Sequence, residues 1–229
     1  MTETLMLAAI LIPVLVIAIV FHEVAHGWTA LALGDPTAKE RNRLSLNPIR
    51  HVDPIGTVVL PGFLALVGAP VFGWAKPVPV IKERLHNPRF GMMAVAFAGP
   101  LTNFILAAIG AVVLGVLMGN VTQQPEGGMA IVVEGLQYFL AINLFLALFN
   151  LLPIPPFDGS HIIEGLLPDR AAAVYDKIRP LGFPLLFILL IGIPYLLPEA
   201  NIIENVVLPP VEWALGHYYS LATWVAQMF

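Results

Sequence analysis

The sequence contains no cysteine and few charged residues. Without cysteine in its 229 residues, the chain has neither disulfides nor thiolate ligands, so any metal site must be built from His, Asp and Glu. Charged residues account for 11% of the chain and hydrophobic residues for 58%, whereas soluble domains average about 25% charged residues. These fractions exclude an ordinary soluble domain and indicate an integral membrane protein.

Basic residues are scarce as well. The 11 Lys and Arg residues are outnumbered by 15 Asp and Glu residues and form no long run. Nucleic-acid binding requires a basic patch or stripe, so no nucleic-acid partner is expected and the lipid bilayer is the expected surrounding. No positive residue precedes the first apolar stretch, and we therefore interpret this stretch as a retained helix and not a signal peptide.

Long apolar runs bounded by charges or helix breakers mark the candidate membrane helices. A helix needs about 20 apolar residues to cross the hydrocarbon core. The runs are Leu5–Leu33, Ile55–Trp74, Phe90–Met118, Met129–Leu152 and Leu181–Leu197. The apolar tail Asn205–Phe229 is either a sixth span or a helix in the membrane interface. The sequence therefore predicts one all-α polytopic membrane domain over residues 1–229, with five to six transmembrane helices.

Two short segments between these runs have the pattern of β-strands. Arg43–Leu46 alternates polar and apolar residues, which is typical of a half-buried strand. Trp74–Val80 alternates Pro with Val, and proline is tolerated only at the edge of a sheet. We expect both segments to form short membrane-associated strands.

A His-Glu-x-x-His motif lies inside the first apolar run. His22 and His26 are four residues apart, which places both imidazoles on one helical face where they can bind a single metal ion. Glu23 lies beside them and can accept the proton of a zinc-bound water. Ionisable groups in a membrane helix are costly, and a divalent cation would compensate them. The alternative is that these side chains line the wet path of a proton or metal transporter.

A third ligand separates the two interpretations, because a catalytic zinc has three protein ligands and an open position. Asp158 follows the fourth apolar run within a Pro-rich break and precedes Gly159. Its carboxylate is a candidate ligand or, alternatively, the N-cap of a following helix. His161 is a weaker candidate for an additional ligand. His51 lies among loop charges and is expected to be solvated.

These motifs resemble those of the site-2 protease family of zinc intramembrane metalloproteases. The resemblance covers residues 5–168, followed by C-terminal helices over 181–229, and it rests on four ordered elements. They are His22-Glu23-x-x-His26, Gly99-x-x-x-Asn103, Asn150, and Asp158-Gly159. The sequence has no room for the PDZ or CBS domains of larger members, so it resembles the minimal branch.

The resemblance implies an endopeptidase that uses Zn²⁺ to hydrolyse a peptide bond in or near a transmembrane helix of a membrane-protein substrate. His22, His26 and Asp158 would bind the metal, and Glu23 would be the catalytic base. Asn150 would donate to the developing oxyanion or hold the substrate, and Asn103 would contact substrate. Both asparagines have a structural alternative, since an amide in a membrane helix is often an interhelical hydrogen-bonding group.

The distribution of positive residues predicts the orientation in the membrane. They cluster after the first run, before the third and after the fourth, while the loop between the third and fourth has none. The positive-inside rule places those clusters, and with them the active site, on the cytosolic side. For His26 and Asp158 to reach one ion, the chain between Leu33 and Phe90 must cross an even number of times. We therefore expect Ile55–Trp74 to re-enter the membrane and return.

The two predicted strands suggest how a substrate is held. Hydrolysis requires an extended peptide, because a helix hides its carbonyl groups, and an extended peptide can pair with the edge of a strand. Leu44, Leu46 and Val78 lie in these two segments. We predict that they bind the unwound part of the substrate.

Overall fold

The computed structural model describes residues 2–66, 74–121, 123–197, 201 and 203–229. The α-helices are α1 (Thr2–Ala32), α2 (Thr37–Glu40), α3 (Leu60–Leu66), α4 (Pro88–Gly119), α5 (Gly128–Asn150), α6 (Gly159–Leu166), α7 (Asp169–Asp176), α8 (Gly182–Phe187), α9 (Ile193–Leu196) and α10 (Leu208–Ala226). Short 3₁₀ or π-helical turns cover Pro48–His51, Pro54–Val59, Lys82–Arg84, Arg179–Leu181, Ile188–Gly192 and Ile203–Val207. The described part of the chain is thus helical, as predicted.

Three helices are long and apolar enough to cross a membrane. They are Leu5–Ala32, Pro88–Gly119 and Gly128–Asn150, and they coincide with the first, third and fourth predicted segments. The predicted segments Ile55–Trp74 and Leu181–Leu197 contain shorter helices. Residues 67–73 lie outside the described residues, so re-entry of this segment stays a prediction, as does the total of five to six spans.

The beginning of α4 shows how a polar residue sets a helix boundary. Pro88 occupies the first helical position, where a missing N–H has no consequence. The Asn87 side chain accepts a hydrogen bond from the Phe90 N–H at 3.1 Å and so satisfies one of the free donors of the first turn. The helix therefore begins two residues before the predicted Phe90.

The chain forms two compact units. One contains Met1–Ile19, Pro100–Phe149 and Ile203–Phe229, and the other contains Val20–Gly99 and Asn150–Ile202. We call them the helical unit and the motif unit, because the second contains the His-Glu-x-x-His motif. The helices α1 and α4 each contribute residues to both units.

In the helical unit, α4, α5 and α10 pack through small side chains. Two clusters of buried residues form this core, Ala107, Leu144, Val211 and Ala214 in one, and Ala111, Leu114, Leu140 and Ala222 in the other. Small residues let helix backbones approach closely, which is the main source of van der Waals packing between helices in a membrane.

A chain of buried amides links three helices of this unit. Asn103 of α4 is fully buried, and its amide donates to the Ala18 carbonyl of α1 at 3.2 Å and to the Asn143 Oδ1 of α5 at 2.8 Å. Asn143 in turn donates to the Phe139 carbonyl at 2.8 Å. These hydrogen bonds satisfy polar groups that would be costly in hydrocarbon, and they agree with the structural alternative that the sequence left open for Asn103.

The same contacts fix the directions of the helices. Along α4, Ala107 packs near Leu144 and Leu114 packs near Leu140, so α4 and α5 are antiparallel. The backbone of α1 at Ala18 meets Asn103, which bonds to Asn143, and Ile10 lies near Gly135. Consequently the parts of α1 and α5 that lie in this unit run in the same direction.

The helix α10 lies along α4. Gly115 approaches the backbone of Ala222, and Gly119 approaches that of Ala226, so the two helices remain in contact toward their C-terminal ends. The 19 residues of α10 span about 28 Å. The two interpretations of this tail, a sixth span or an interfacial helix, stay predictions.

The strand prediction is not confirmed. No β-strand occurs in the described ranges, and Arg43–Leu46 and Trp74–Val80 have irregular backbone there. Pro77 and Pro79 lack amide hydrogens, and the Val78 N–H donates to the Glu23 side chain at 2.8 Å. These groups therefore cannot complete a ladder between the two segments.

We predict that Gly115→Ala destabilises the protein. A Cβ atom at Gly115 would lie 2.4 Å from the Ala222 carbonyl oxygen and 2.7 Å from the Val225 Cβ, and such overpacking costs about 1–3 kcal/mol. Gly216→Ala in α10 is the matched control, because nothing lies within 4 Å of its Cβ position. Thermal unfolding in detergent should show a lower Tm for Gly115→Ala only, and equal Tm values for the two variants would contradict this packing.

Candidate metal centre

Three predicted ligands converge in the motif unit. The Asp158 Oδ2 atom lies 3.1 Å from the His22 Nε2 and 3.3 Å from the His26 Nε2. One ligand atom from each residue lies within 4.8 Å of the other two. Both imidazoles are buried, and their rings meet edge to face with centroids 4.7 Å apart. His22 and Asp158 are 136 positions apart in sequence, yet their side chains are in contact.

These separations fit a tetrahedral zinc ion. Zinc bonds of about 2.0–2.1 Å at tetrahedral angles place neighbouring ligand atoms about 3.3 Å apart. The two separations from the carboxylate oxygen, 3.1 and 3.3 Å, agree with that value. Two imidazoles and one carboxylate are also a ligand set that zinc proteases use, with the fourth position left for water.

The His26 ring is oriented by a second hydrogen bond. Its Nδ1 donates to the Val95 carbonyl of α4 at 2.7 Å. This bond places the ring proton on Nδ1 and leaves the Nε2 lone pair for a metal ion. The backbone of α4 therefore selects the tautomer that can act as a ligand.

Gly99 leaves room for the two imidazoles. A Cβ atom at this position would lie 2.5 Å from the His26 Nε2 and 2.6 Å from the His22 Nε2. Real side chains do not approach so closely, so only glycine lets the backbone of α4 pass behind the ligand atoms. This contact gives a physical reason for the glycine of the Gly-x-x-x-Asn element.

Asp158 is free to be a ligand because it does not cap the next helix. It precedes α6, but its side chain makes no capping hydrogen bond. The turn that carries it is tight, since a Cβ atom at Gly159 would lie 2.3 Å from the Leu151 carbonyl oxygen. Of the two roles that the sequence left open, the geometry favours the ligand over the N-cap.

Two charged side chains anchor α6 and hence the position of Asp158. Arg89, at the beginning of α4, donates to the Gly165 carbonyl at 2.8 Å and to the Leu167 carbonyl, so it caps the C-terminal end of α6. Glu164 of α6 binds Lys82 Nζ at 2.6 Å and also pairs with Arg179.

His161 takes part in this anchoring and does not join the three ligands. Arg179 Nη1 lies 2.8 Å from its Nε2. Burial, followed by the charge of Arg179, lowers the pKa of His161 to about 4, so the imidazole is neutral at pH 7. At Asp158, burial raises the carboxyl pKa, but the neighbouring imidazoles of His26 and His22 outweigh burial and hold the pKa below its usual range. The carboxylate is therefore ionised at neutral pH.

Glu23 lies on α1 between the two histidines and contacts the extended segment after residue 74. Its Oε2 accepts the hydrogen bond from the Val78 N–H. The Val78 side chain is buried, and a Cβ atom at Gly27 would lie 3.0 Å from the Val78 Cγ1 and 2.5 Å from the Leu44 Cδ2. Two of the predicted substrate-binding residues, Leu44 and Val78, thus pack against α1 at Gly27, the residue after His26. The third, Leu46, is 54% exposed.

The two asparagines of the predicted site have different positions. Asn150 is the last residue of α5 and is partly exposed, eight residues before Asp158. Asn103 has no exposed surface and bonds to Ala18 and Asn143 as described above, so we interpret it as an interhelical residue.

The sequence interpretation missed several buried polar residues. Asp35, at the end of the first apolar run, is fully buried and accepts hydrogen bonds from the Thr37 N–H at 3.0 Å and the Ile81 N–H at 2.6 Å. Arg43 is 7% exposed and His51 only 3%, so the expectation of a solvated His51 was wrong. Asn143 could have been identified from the sequence, because an amide within an apolar run needs a hydrogen-bond partner.

Comparison with known proteins agrees with this centre. The model of peptidase family M50 matches residues 10–193. The chain is 40% identical over 185 residues to YwhC of Bacillus subtilis (strain 168), an inferred zinc metalloprotease, covering 79% of this chain and 80% of YwhC. It is 26% identical over 170 residues to Rip2 of Mycolicibacterium smegmatis, named in the same way, covering 74% and 62% of the two chains.

No solved structure gives a significant match. The family match covers most of the chain, including every predicted ligand, and the names of the relatives support a zinc metalloprotease and do not support a transporter. The chain belongs to peptidase family M50, the site-2 protease family that its motifs resemble, and it is an intramembrane zinc metalloprotease.

Proposed function

We propose that His22, His26 and Asp158 bind the catalytic zinc ion and that Glu23 is the general base. The single observation that carries this assignment is the convergence of the three ligand atoms at separations of 3.1 and 3.3 Å from the Asp158 oxygen. The Val95 and Gly99 contacts support it, because the first orients His26 and the second leaves space beside the ligand atoms.

The chemistry follows from the positions of the side chains. When bound, zinc would polarise the substrate carbonyl and lower the pKa of a water molecule to about 7. Glu23 accepts the proton of the attacking water and returns it to the leaving amine. Asn150, at the end of α5, donates to the carbonyl oxygen as negative charge develops there.

The substrate is a transmembrane helix of another membrane protein, cleaved near the cytosolic side. The charge pattern supports this orientation. The loop between α4 and α5 has no positive residue, whereas Lys39, Arg41 and Arg50 follow α1. Because α1 and α4 are antiparallel, the chain that joins them starts and ends on this positive side.

The substrate is held in extended form beside the segments around Leu44, Leu46 and Val78. The irregular backbone of both segments and the exposed Leu46 side chain support this assignment. An unwound substrate could pair with backbone groups of these segments, and pairing of this kind supplies affinity without sequence specificity.

We predict that Glu23→Gln abolishes cleavage but retains zinc. Glutamine cannot accept the proton of the attacking water, and loss of a general base costs about 10²–10⁴-fold in rate. Cleavage of a model transmembrane substrate and zinc content by mass spectrometry check this outcome.

Two control variants belong to that experiment. Glu83→Gln changes an exposed glutamate and should cleave as the wild type does, whereas Asp158→Ala should lose both cleavage and zinc because it removes a ligand. Wild-type cleavage by Glu23→Gln would reject Glu23 as the base.

A second prediction concerns Gly99→Ala, which should weaken zinc binding. The added methyl group would displace both imidazoles, and disturbing the support of ligand side chains typically costs about 10–100-fold in metal affinity. Gly110→Ala, in the same helix, is the matched control, because its Cβ would meet Leu140 and Phe139 in the helical unit. Competition with a zinc chelator should show weaker binding only for Gly99→Ala, and equal affinities would argue against the assigned ligands.

The proposed substrate contact predicts that Leu46→Pro lowers cleavage at unchanged zinc content. Proline removes the N–H that an extended peptide could pair with, whereas Leu46→Ala keeps it. Cleavage rates of the two variants separate backbone pairing from side-chain contact. If Leu46→Pro cleaves as fast as Leu46→Ala, the backbone at this position does not hold the substrate.

A further inference from the structure

Arg43 is a buried cation in the loop that follows α2. It is 7% exposed. Its Nη2 donates to the Lys76 carbonyl at 2.5 Å and lies 3.4 Å from the His51 Nδ1. Its Nε is closed to solvent and has no hydrogen-bond partner among the described residues.

Such a placement is unfavourable for folding alone. A buried donor without a partner costs about 1–3 kcal/mol, and burial of a charge adds to the cost. Burial lowers the pKa of Arg43, and the negative charge of Glu23 opposes that shift. A buried polar group of this kind requires an explanation.

The contacts of Arg43 lead to Glu23 through the backbone. The Lys76 carbonyl, which Arg43 binds, lies two residues before Val78, whose N–H donates to the Glu23 Oε2. The imidazole of His51 also contacts the Ser45 carbonyl through Nε2 at 2.7 Å, and the Lys76 N–H donates to the His51 carbonyl at 2.9 Å. The segment after Lys76 is therefore fixed from one side by Arg43 and His51.

We propose that Arg43 is a positioning residue for catalysis, which holds the Lys76–Val78 backbone so that the Val78 N–H keeps the Glu23 carboxylate in its working orientation. Arginine suits this role better than lysine, because its planar fork holds Nη2 against Lys76 with fewer freely rotating bonds at the charged end. The inference depends on the proposed role of Glu23 as the base.

The sequence itself provides a sharp probe of this contact. Pro77 and Pro79 have no amide hydrogen, so Val78 carries the only backbone amide between Lys76 and Val80. The first two residues of a fragment lose their label, so the difference in deuterium between a fragment that begins at Lys76 and one that begins at Pro77, both with the same C-terminal end, reports Val78. Protection of this one amide is a readout that does not depend on catalysis.

The experiment compares Arg43→Met, Arg43→Lys and the control Arg50→Met in the zinc-loaded protein. Arg50 lies in the same loop, is exposed and donates to the Asn42 carbonyl at 2.9 Å. For Arg43→Met we expect Val78 exchange to accelerate at least about tenfold and kcat to fall about 10–100-fold, since small displacements of catalytic groups have effects of that size. We expect KM and zinc content to change less than about threefold, and Arg50→Met to match the wild type.

Arg43→Lys keeps a cation and should recover part of both the protection and kcat. If Arg43→Met does not fold, the proposal is tested with Arg43→Lys alone. A fall of both Val78 protection and kcat below the wild-type values in this variant would support it. Unchanged Val78 protection, a rise in KM at constant kcat, or loss of zinc in the lysine variant would overturn the proposal. If the wild type cleaves no substrate, the proposed function fails, whereas Val78 exchange still tests whether Arg43 holds this segment.

Discussion

The structure depends on one constraint: two imidazoles from α1 and one carboxylate from beyond α5 lie within 4.8 Å of one another, close enough to hold one metal ion. Bonds of about 2 Å leave little tolerance, and the ligands are far apart in sequence. Within the helical unit, α1 and α5 run in the same direction and α4 is antiparallel to both. Within the motif unit, the same constraint accounts for the absence of a side chain at Gly99, where a Cβ atom would meet both imidazoles.

Several buried polar groups of the described residues are paired with particular partners, and these pairs determine much of the local architecture. The Asn103 and Asn143 amides join three helices, Asp35 fastens the end of α1 to the Ile81 backbone, and Arg43 fastens the loop to Lys76. Where water is excluded, an unpaired polar group is costly, so each pair strongly favours one arrangement of its elements.

Much of the fold was predictable, because membrane helices are recognised from composition and length alone. The first, third and fourth apolar runs match spans of the structure. The two predicted strands have no counterpart among the described residues. Arg43–Leu46 forms an irregular loop in which Arg43 is buried and Leu44 is partly buried, so its alternating sequence does not correspond to the two faces of a strand. His51 was assigned to solvent because neighbouring charges suggested a surface loop, whereas the loop folds back and buries it.

The sequence by itself determined the chemistry of the site, because the spacing of His22, Glu23 and His26 fixes their arrangement within one helix turn. Only the tertiary structure brought the Asp158 carboxylate beside His22 and His26, joined Asn103 to Asn143 and brought Val78 to Glu23. Those outcomes depend on contacts between residues distant in sequence. Local spacing cannot specify such contacts, because they depend on the directions and packing of several helices at once.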